Sequence, residues 1–235
     1  ASPLSGNSWG IYNTSNTSGT YSNYNNDWTG KATGIKANLN VLLNEYFANS
    51  TNTSSTYRAC SNWTYFDYGT NYRTNDCSDI VGYGIDPKYS GYIENATWYL
   101  YGSDNMQNKP NWYRCERGGN SCTTSGPNTG DASVTSKMGL MYLSDYLYAS
   151  GYYSSTDMHT EGANYGNKNW LYKGYEWTQT PVASRADGVW FLTIDAGITN
   201  AEYPLWWRPS LYLKSDIKIS GGYGTYNNPY ILEQG

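Results

Sequence analysis

Tyr175-Glu-Trp-Thr-Gln-Thr-Pro181, Gly188-Val-Trp-Phe-Leu-Thr-Ile-Asp195 and Trp207-Arg-Pro-Ser-Leu-Tyr-Leu-Lys214 decide how this chain reads. Short aromatic and β-branched runs, separated by turn-forming residues, predict three or four strands. Turns are expected at residues 183–187, at Ala196-Gly197 and at residues 200–204. The connections are polar where the strands are aromatic, and none of the runs carries a reaction centre. A rigid sheet that displays polar, aromatic loops is laid out for binding, because scaffolds fix loops and loops carry recognition.

Composition agrees with a folded, exported chain. At 235 residues it can bury a real core, with 27 Tyr and 10 Trp standing in for aliphatic residues. Only 14% of residues are charged, the net charge is −4 and the pI is near 4.9. That excludes a phosphate-neutralising nucleic-acid face and a polybasic membrane-surface protein. No apolar run approaches the roughly 20 residues of a membrane helix. The opening Ala1-Ser-Pro-Leu-Ser-Gly lacks a basic, apolar leader, so a mature form or trimmed ectodomain is expected. Sequons such as Asn62-Trp-Thr carry little weight in a chain this rich in Asn, Ser and Thr.

Four cysteines, Cys60, Cys77, Cys115 and Cys122, allow three pairings. The local pairs 60–77 and 115–122 close the shortest loops, each stabilising by roughly 2–3 kcal/mol through restriction of the unfolded chain. No CxxC spacing supports a metal site, so disulfides in an oxidising, extracellular compartment are expected.

Along the chain, residues 1–30 read as an irregular segment anchored by Trp9 and Trp28. Ile35, Leu39, Leu42, Leu43, Tyr46 and Phe47 mark one apolar face of a helix. Residues 49–92 form an insertion-like, disulfide-stapled excursion. Ile93 to Tyr101 predicts a short helix entering a strand at Thr97. Residues 102–132 read as loop, 134–142 as a strand, and 144–149 as a second helix with Ser144 as N-cap. Residues 150–169 are a loop holding His159, and Ile217–Ile219 is a further strand. The expectation is one α+β domain over residues 31–235, of small antiparallel sheets, two short helices and many irregular loops.

Several segments resemble a family of exported proteins of Gram-positive gut bacteria, whose members are often attached to pilin-like amino-terminal segments. They include Asn38-Leu-Asn-Val-Leu-Leu-Asn-Glu-Tyr46, Ile93-Glu-Asn-Ala-Thr-Trp-Tyr-Leu100, Trp177-Thr-Gln-Thr-Pro181, Arg208-Pro-Ser-Leu-Tyr-Leu-Lys-Ser-Asp216 and Ser220-Gly-Gly-Tyr-Gly-Thr-Tyr-Asn-Asn-Pro-Tyr230. The resemblance covers residues 30–232. The C-terminal half is also similar to the C-type lectin fold in its formylglycine-generating-enzyme-like branch. There a helix start matches Leu143-Ser-Asp145, and a late strand carrying an Arg matches Trp207-Arg-Pro209. The resemblance implies a C-type-lectin-like fold and ligand binding. In relatives diversified by retroelements the variable segment would map onto residues 164–207. Trp190, Trp206, Trp207, Glu176 and Glu202 would then be framework, since such diversification of Asn-type codons cannot yield Trp or Glu.

For binding, the candidate residues are Tyr165, Arg185, Asp187, Asn200, Glu202, Tyr203 and Trp206, with Arg185 and Trp206 as anchors. Tyr, Trp, Asn and Asp on loops supply flat apolar area at low entropy cost together with adaptable hydrogen bonds. Trp177, Trp190 and Trp207 read as core and Arg208 as a buried clasp. Calcium, used by many C-type lectins, would draw on Asp187, Asp195, Asn200 and Glu202, but no calcium loop is present, and no cofactor is expected. The expectation is a non-catalytic extracellular adhesin or receptor-type domain on a bacterial surface. Its partner would be a protein or carbohydrate on a cell, phage or host surface. One alternative is a subunit of a self-associating surface filament. Another is a glycan-active enzyme using Asp187 or Glu202, which loss of a measurable hydrolysis in Asp187→Ala or Glu202→Ala would support.

Overall fold

The computed structural model describes residues 4–7, 9, 26–31, 36–41, 43–44, 48, 64–67, 71–74, 85, 87–102, 109–118, 132–149, 171, 174–185, 187–192, 196–201, 205–225 and 227–235. In chain order these give β1 (Leu4–Asn7), a helical turn α1 (Asn38–Val41), β2 (Thr64–Asp67) and β3 (Asn71–Thr74). A 3-10 helix (Pro87–Tyr92), β4 (Ala96–Tyr99), α2 (Lys109–Glu116), β5 (Ser133–Ser136), β6 (Met138–Leu140) and α3 (Leu143–Ala149) follow. The last third is strand: β7 (Glu176–Pro181), β8 (Gly188–Leu192), β9 (Ala196–Asn200), β10 (Leu205–Trp207), β11 (Pro209–Leu211), β12 (Ile217–Gly221) and β13 (Ile231–Gln234). The class is α+β, sheet-rich with short helices.

Five strands make the central sheet in the order β1-β10-β7-β8-β9, and two-stranded ladders join β11 to β6, β12 to β13, β2 to β3 and β4 to β5. The pairings are antiparallel except β10 with β7, where Trp206 faces Glu176 in parallel. Side chains alternate across the sheet. One face carries Trp177, Val189 and Trp207 against Trp9, Trp28, Leu39, Leu43, Met138 and Leu140. The other carries Trp190 and Leu192 against Trp112 of α2 and Leu143 and Tyr146 of α3. Each fully buried tryptophan removes some 150–250 Å² from water, roughly 4–6 kcal/mol as an upper bound.

Central strand β7 is buried along its whole length although four of its six residues are polar. Such a strand needs partners for its polar groups, and its side-chain oxygens have them. Thr178 Oγ1 donates to the Trp190 carbonyl at 2.7 Å, Gln179 Oε1 accepts the Leu140 N–H at 2.9 Å, and Thr180 Oγ1 accepts the Leu143 N–H at 3.2 Å. The strand thereby ties the sheet to β6 on one face and to α3 on the other.

Several expectations change. The N-terminal segment anchors through Trp9 and Trp28, whose rings lie 5.0 Å apart, but it also supplies β1 to the sheet edge. The expected helix over 35–47 is represented by α1 and a wider turn at 43–44, with Leu39 and Leu43 buried as the periodicity requires. Ahead of β4 the helix lies at Pro87–Tyr92, upstream of Ile93. The loop expected over 102–132 contains α2. Its inward residues Trp112, Cys115 and Glu116 fall at i, i+3 and i+4, a helical stripe disguised by a glutamate. The strand expected over 134–142 is two strands with different partners, β4 for β5 and β11 for β6. Ala196-Gly197 lies inside β9 and is no turn.

Ser144 is the second residue of α3, not its cap. The Tyr142 N–H donates to Asp145 Oδ2 at 3.0 Å, so the acidic residue in the first turn reaches back in the manner of a capping box. The Ser144 N–H donates to both oxygens of Glu116, at 3.2 and 3.3 Å.

Candidate functional site

The start of β7 combines an interior lock with an exposed ring. Glu176 is fully buried; its carboxylate accepts from Arg208 Nη2 at 2.8 Å and from Tyr146 Oη at 2.8 Å. Arg208 also donates to the Leu171 carbonyl at 3.0 Å, which makes it the clasp the sequence implied. The pair holds β10 beside β7, and the Trp206 N–H donates to the Tyr175 carbonyl at 3.1 Å. Trp206 is thereby fixed in register yet remains 41% exposed, while its neighbour Trp207 is fully buried. The Trp206 ring lies on Gly174, whose φ of +148° and lack of a side chain make room for it. Tyr175 is 60% exposed, with its ring 6.2 Å from Phe191. Tyr175 is the aromatic that sequence reasoning missed here; its position next to a buried glutamate in a strand was the available signal.

The turn after β7 holds a second polar group. Arg185 Nε and Nη2 donate to the two carboxylate oxygens of Asp187 at 3.1 and 3.2 Å, a two-pronged pair at the surface. Asn200 faces Gly188 across the β8–β9 ladder, and the Ala201 N–H donates to the Asp187 carbonyl at 2.8 Å. Asn26 fixes this turn from within. Its buried side-chain amide lies 3.2, 2.9 and 2.9 Å from the carbonyls of Val182, Arg185 and Gly188. Nothing in the Asn/Ser/Thr-rich sequence around Asn26 distinguished it from its neighbours.

Arg185, Asp187 and Asn200 therefore come together, but Trp206 stands at the other end of β7. A six-residue strand is about 17–20 Å long, so the anticipated single patch divides into two. Tyr165, Glu202 and Tyr203 lie outside the described residues, as do His159, Asp195, Cys60, Cys77 and Cys122. Cys115, buried on α2, is disulfide-bonded. Among the described residues no group of three or more His, Cys, Asp or Glu could hold a metal ion. Of the calcium candidates, Asp187 has both oxygens on Arg185.

A second buried carboxylate, Glu116, joins three elements. It lies at the end of α2, caps the first turn of α3 through Ser144 and accepts from Thr180 Oγ1 of β7. Burial pushes its pKa up to about 7, against the opposing pull of the Ser144 and Thr180 hydrogen bonds and of the Arg117 charge 3.7 Å away. With no exposure to solvent it is a structural node. Burial likewise raises the Tyr142 hydroxyl. Comparison with family models, with curated proteins and with solved structures finds no match for this chain.

Proposed function

We propose that this chain is a ligand-binding domain of C-type-lectin-like fold, an extracellular adhesin or receptor displayed on a bacterial surface, which captures protein or glycan without transforming it. The observation that carries this reading is Trp206: a large aromatic ring left in solvent on a strand pinned by the ion pair of Arg208 with the buried Glu176. A rigid exposed aromatic loses little entropy on binding and offers flat apolar area, which suits a binding hot spot. Arg185 and Asp187 add a preorganised donor–acceptor pair at the far end of the strand. The fold assignment is supported by the late strand β10, an inner strand of the sheet followed directly by Arg208, and by Leu143-Ser-Asp145 at the start of α3. The disulfide at Cys115 supports an oxidising compartment. The test is retention on arrays of glycans and of cell-surface proteins. Wild type should be retained by some element of an array, with Trp206→Ala weakened about tenfold, the size of a hot-spot truncation. No retention at all, or retention of every array member indifferent to Trp206→Ala, would sink the reading.

A filament subunit is the second reading, and the C-terminal hairpin favours it. Ile219, Tyr223, Tyr230 and Ile231 are 60, 81, 55 and 53% exposed. The β12–β13 ladder bonds within itself, and apolar surface of this kind marks interaction sites. Concentration-dependent sedimentation abolished by Ile219→Asp would establish self-association in place of ligand capture.

A further inference from the structure

A surface distinct from β7 and β10 presents a different arrangement of rings. On α2, Tyr113 is 45% exposed; on α3, Tyr148 is 55% exposed. Their rings meet edge to face, with centroids 6.1 Å apart and planes at 88°, forming an open aromatic corner. Arg117 borders it. Its guanidinium carbon lies 3.9 Å from the Tyr113 ring centre and 4.5 Å from that of Tyr142, so two rings hold it. Arg117 donates to Ser144 Oγ at 3.1 Å and to Asp145 Oδ1 at 3.3 Å. At Gly118, the next residue after Arg117, the Tyr101 ring rests on the backbone and stacks on the partly exposed Tyr99, centroids 6.4 Å apart. Two pairs of tyrosine rings thus accompany one immobilised guanidinium–carboxylate pair.

The charge of Arg117 is already answered. It faces Asp145 at 3.3 Å and the buried Glu116 at 3.7 Å, so this guanidinium is not held open for an anionic partner. What remains is hydrogen-bonding capacity, in the free lone pairs of the Asp145 carboxylate and the tyrosine hydroxyls, and the ring surface that Tyr99, Tyr113 and Tyr148 leave exposed. That combination fits a polyhydroxylated, uncharged ring. The C–H face of a pyranose carries partial positive charge and packs on the negative face of an aromatic ring, while its hydroxyls bridge a carboxylate and a guanidinium. The patch is a handful of side chains, whereas a specific protein interface takes about 20–30 residues a side.

We propose that the surface formed by Tyr113, Tyr148, Arg117, Asp145 and the Tyr99–Tyr101 pair is a binding site for neutral oligosaccharides, separate from the Trp206 face. It does not depend on Trp206, so the two sites fail separately. The experiment is retention of the whole chain on an array of neutral and anionic oligosaccharides, followed by calorimetric titration with the best-retained neutral member. Tyr113→Ala and Tyr148→Ala should each weaken that binding about tenfold. Tyr148→Phe, which keeps the ring, should retain most of it, and Trp206→Ala should leave it unchanged. All three positions have half-exposed side chains, and a thermal melt checks that each of the four variants folds. No retention of a neutral member, retention of anionic members alone, or binding unaffected by both alanine variants would overturn the proposal.

Discussion

Arg208 reaches Glu176 at 2.8 Å across the one parallel pairing of the central sheet, beside the Tyr146 hydroxyl on the same carboxylate. The bond joins β10, β7 and α3 at one buried point. It also sets where Trp206, paired with Glu176, meets solvent.

Removing one member of that pair strands a buried charge. Arg208→Met leaves the Glu176 carboxylate with Tyr146 as its remaining described donor and should cost roughly 3–5 kcal/mol, the usual penalty for breaking a buried pair from one side. Urea unfolding measures it. A loss under 1 kcal/mol would mean that the interaction contributes little to holding the sheet.

Stability should depend on pH through Glu116. Its folded pKa is raised from 4.5 to about 7, so the folded chain binds more protons than the unfolded one between those values. Stability is then greatest below about pH 4.5 as far as this group is concerned, and is lost as pH rises through about 7. Glu116→Gln should flatten the change in urea midpoint between pH 5 and pH 8. Equal slopes for the two proteins would show that other groups govern that window.

A methyl group at position 174 would enter the Trp206 ring and occupy a backbone region favourable to glycine. Gly174→Ala should therefore displace Trp206, shift the tryptophan emission and cost on the order of 1–3 kcal/mol. Unchanged emission and stability would show that the ring is not held where the structure places it.

The hairpin and the core should respond very differently to substitution. Ile219→Asp, at a 60% exposed position on β12, should change stability by no more than about 0.5 kcal/mol. Trp207→Ala, at a fully buried one, should cost roughly 3–5 kcal/mol. Thermal melts of the two variants side by side decide the matter.

Much of the sheet was legible because Trp177, Trp190 and Trp207 sit in alternating, turn-bounded runs, and all three are interior. What escaped notice followed from polarity. Helix α2 was hidden because Glu116 occupies a position where an apolar residue is expected, and its acceptance there depends on partners 28 and 64 residues away. Asn26 escaped for the same reason, since its partners lie 156 to 162 residues downstream. The binding candidates around 185–187 were adjacent in sequence and stayed together. Trp206 parted from them because β10 inserts beside the start of β7, a pairing set by long-range contacts and by no local pattern. The tyrosine corner at α2 and α3 required knowing that both stretches were helical and side by side.

The pairing of Leu4 with Trp207 joins residues 203 positions apart (207 − 4). During synthesis β1 emerges first and waits, while β7, β8 and β9, whose ladders are local, pair with one another as soon as they appear. The strand between them and β1 comes later, so the sheet stays incomplete until most of the polypeptide exists. Topologies dominated by such distant partners fold slowly, on millisecond-to-second timescales in small domains. In the interval both unjoined margins, β1 and the outer side of β7, stand open to intermolecular pairing. Refolding yield should accordingly fall as protein concentration rises.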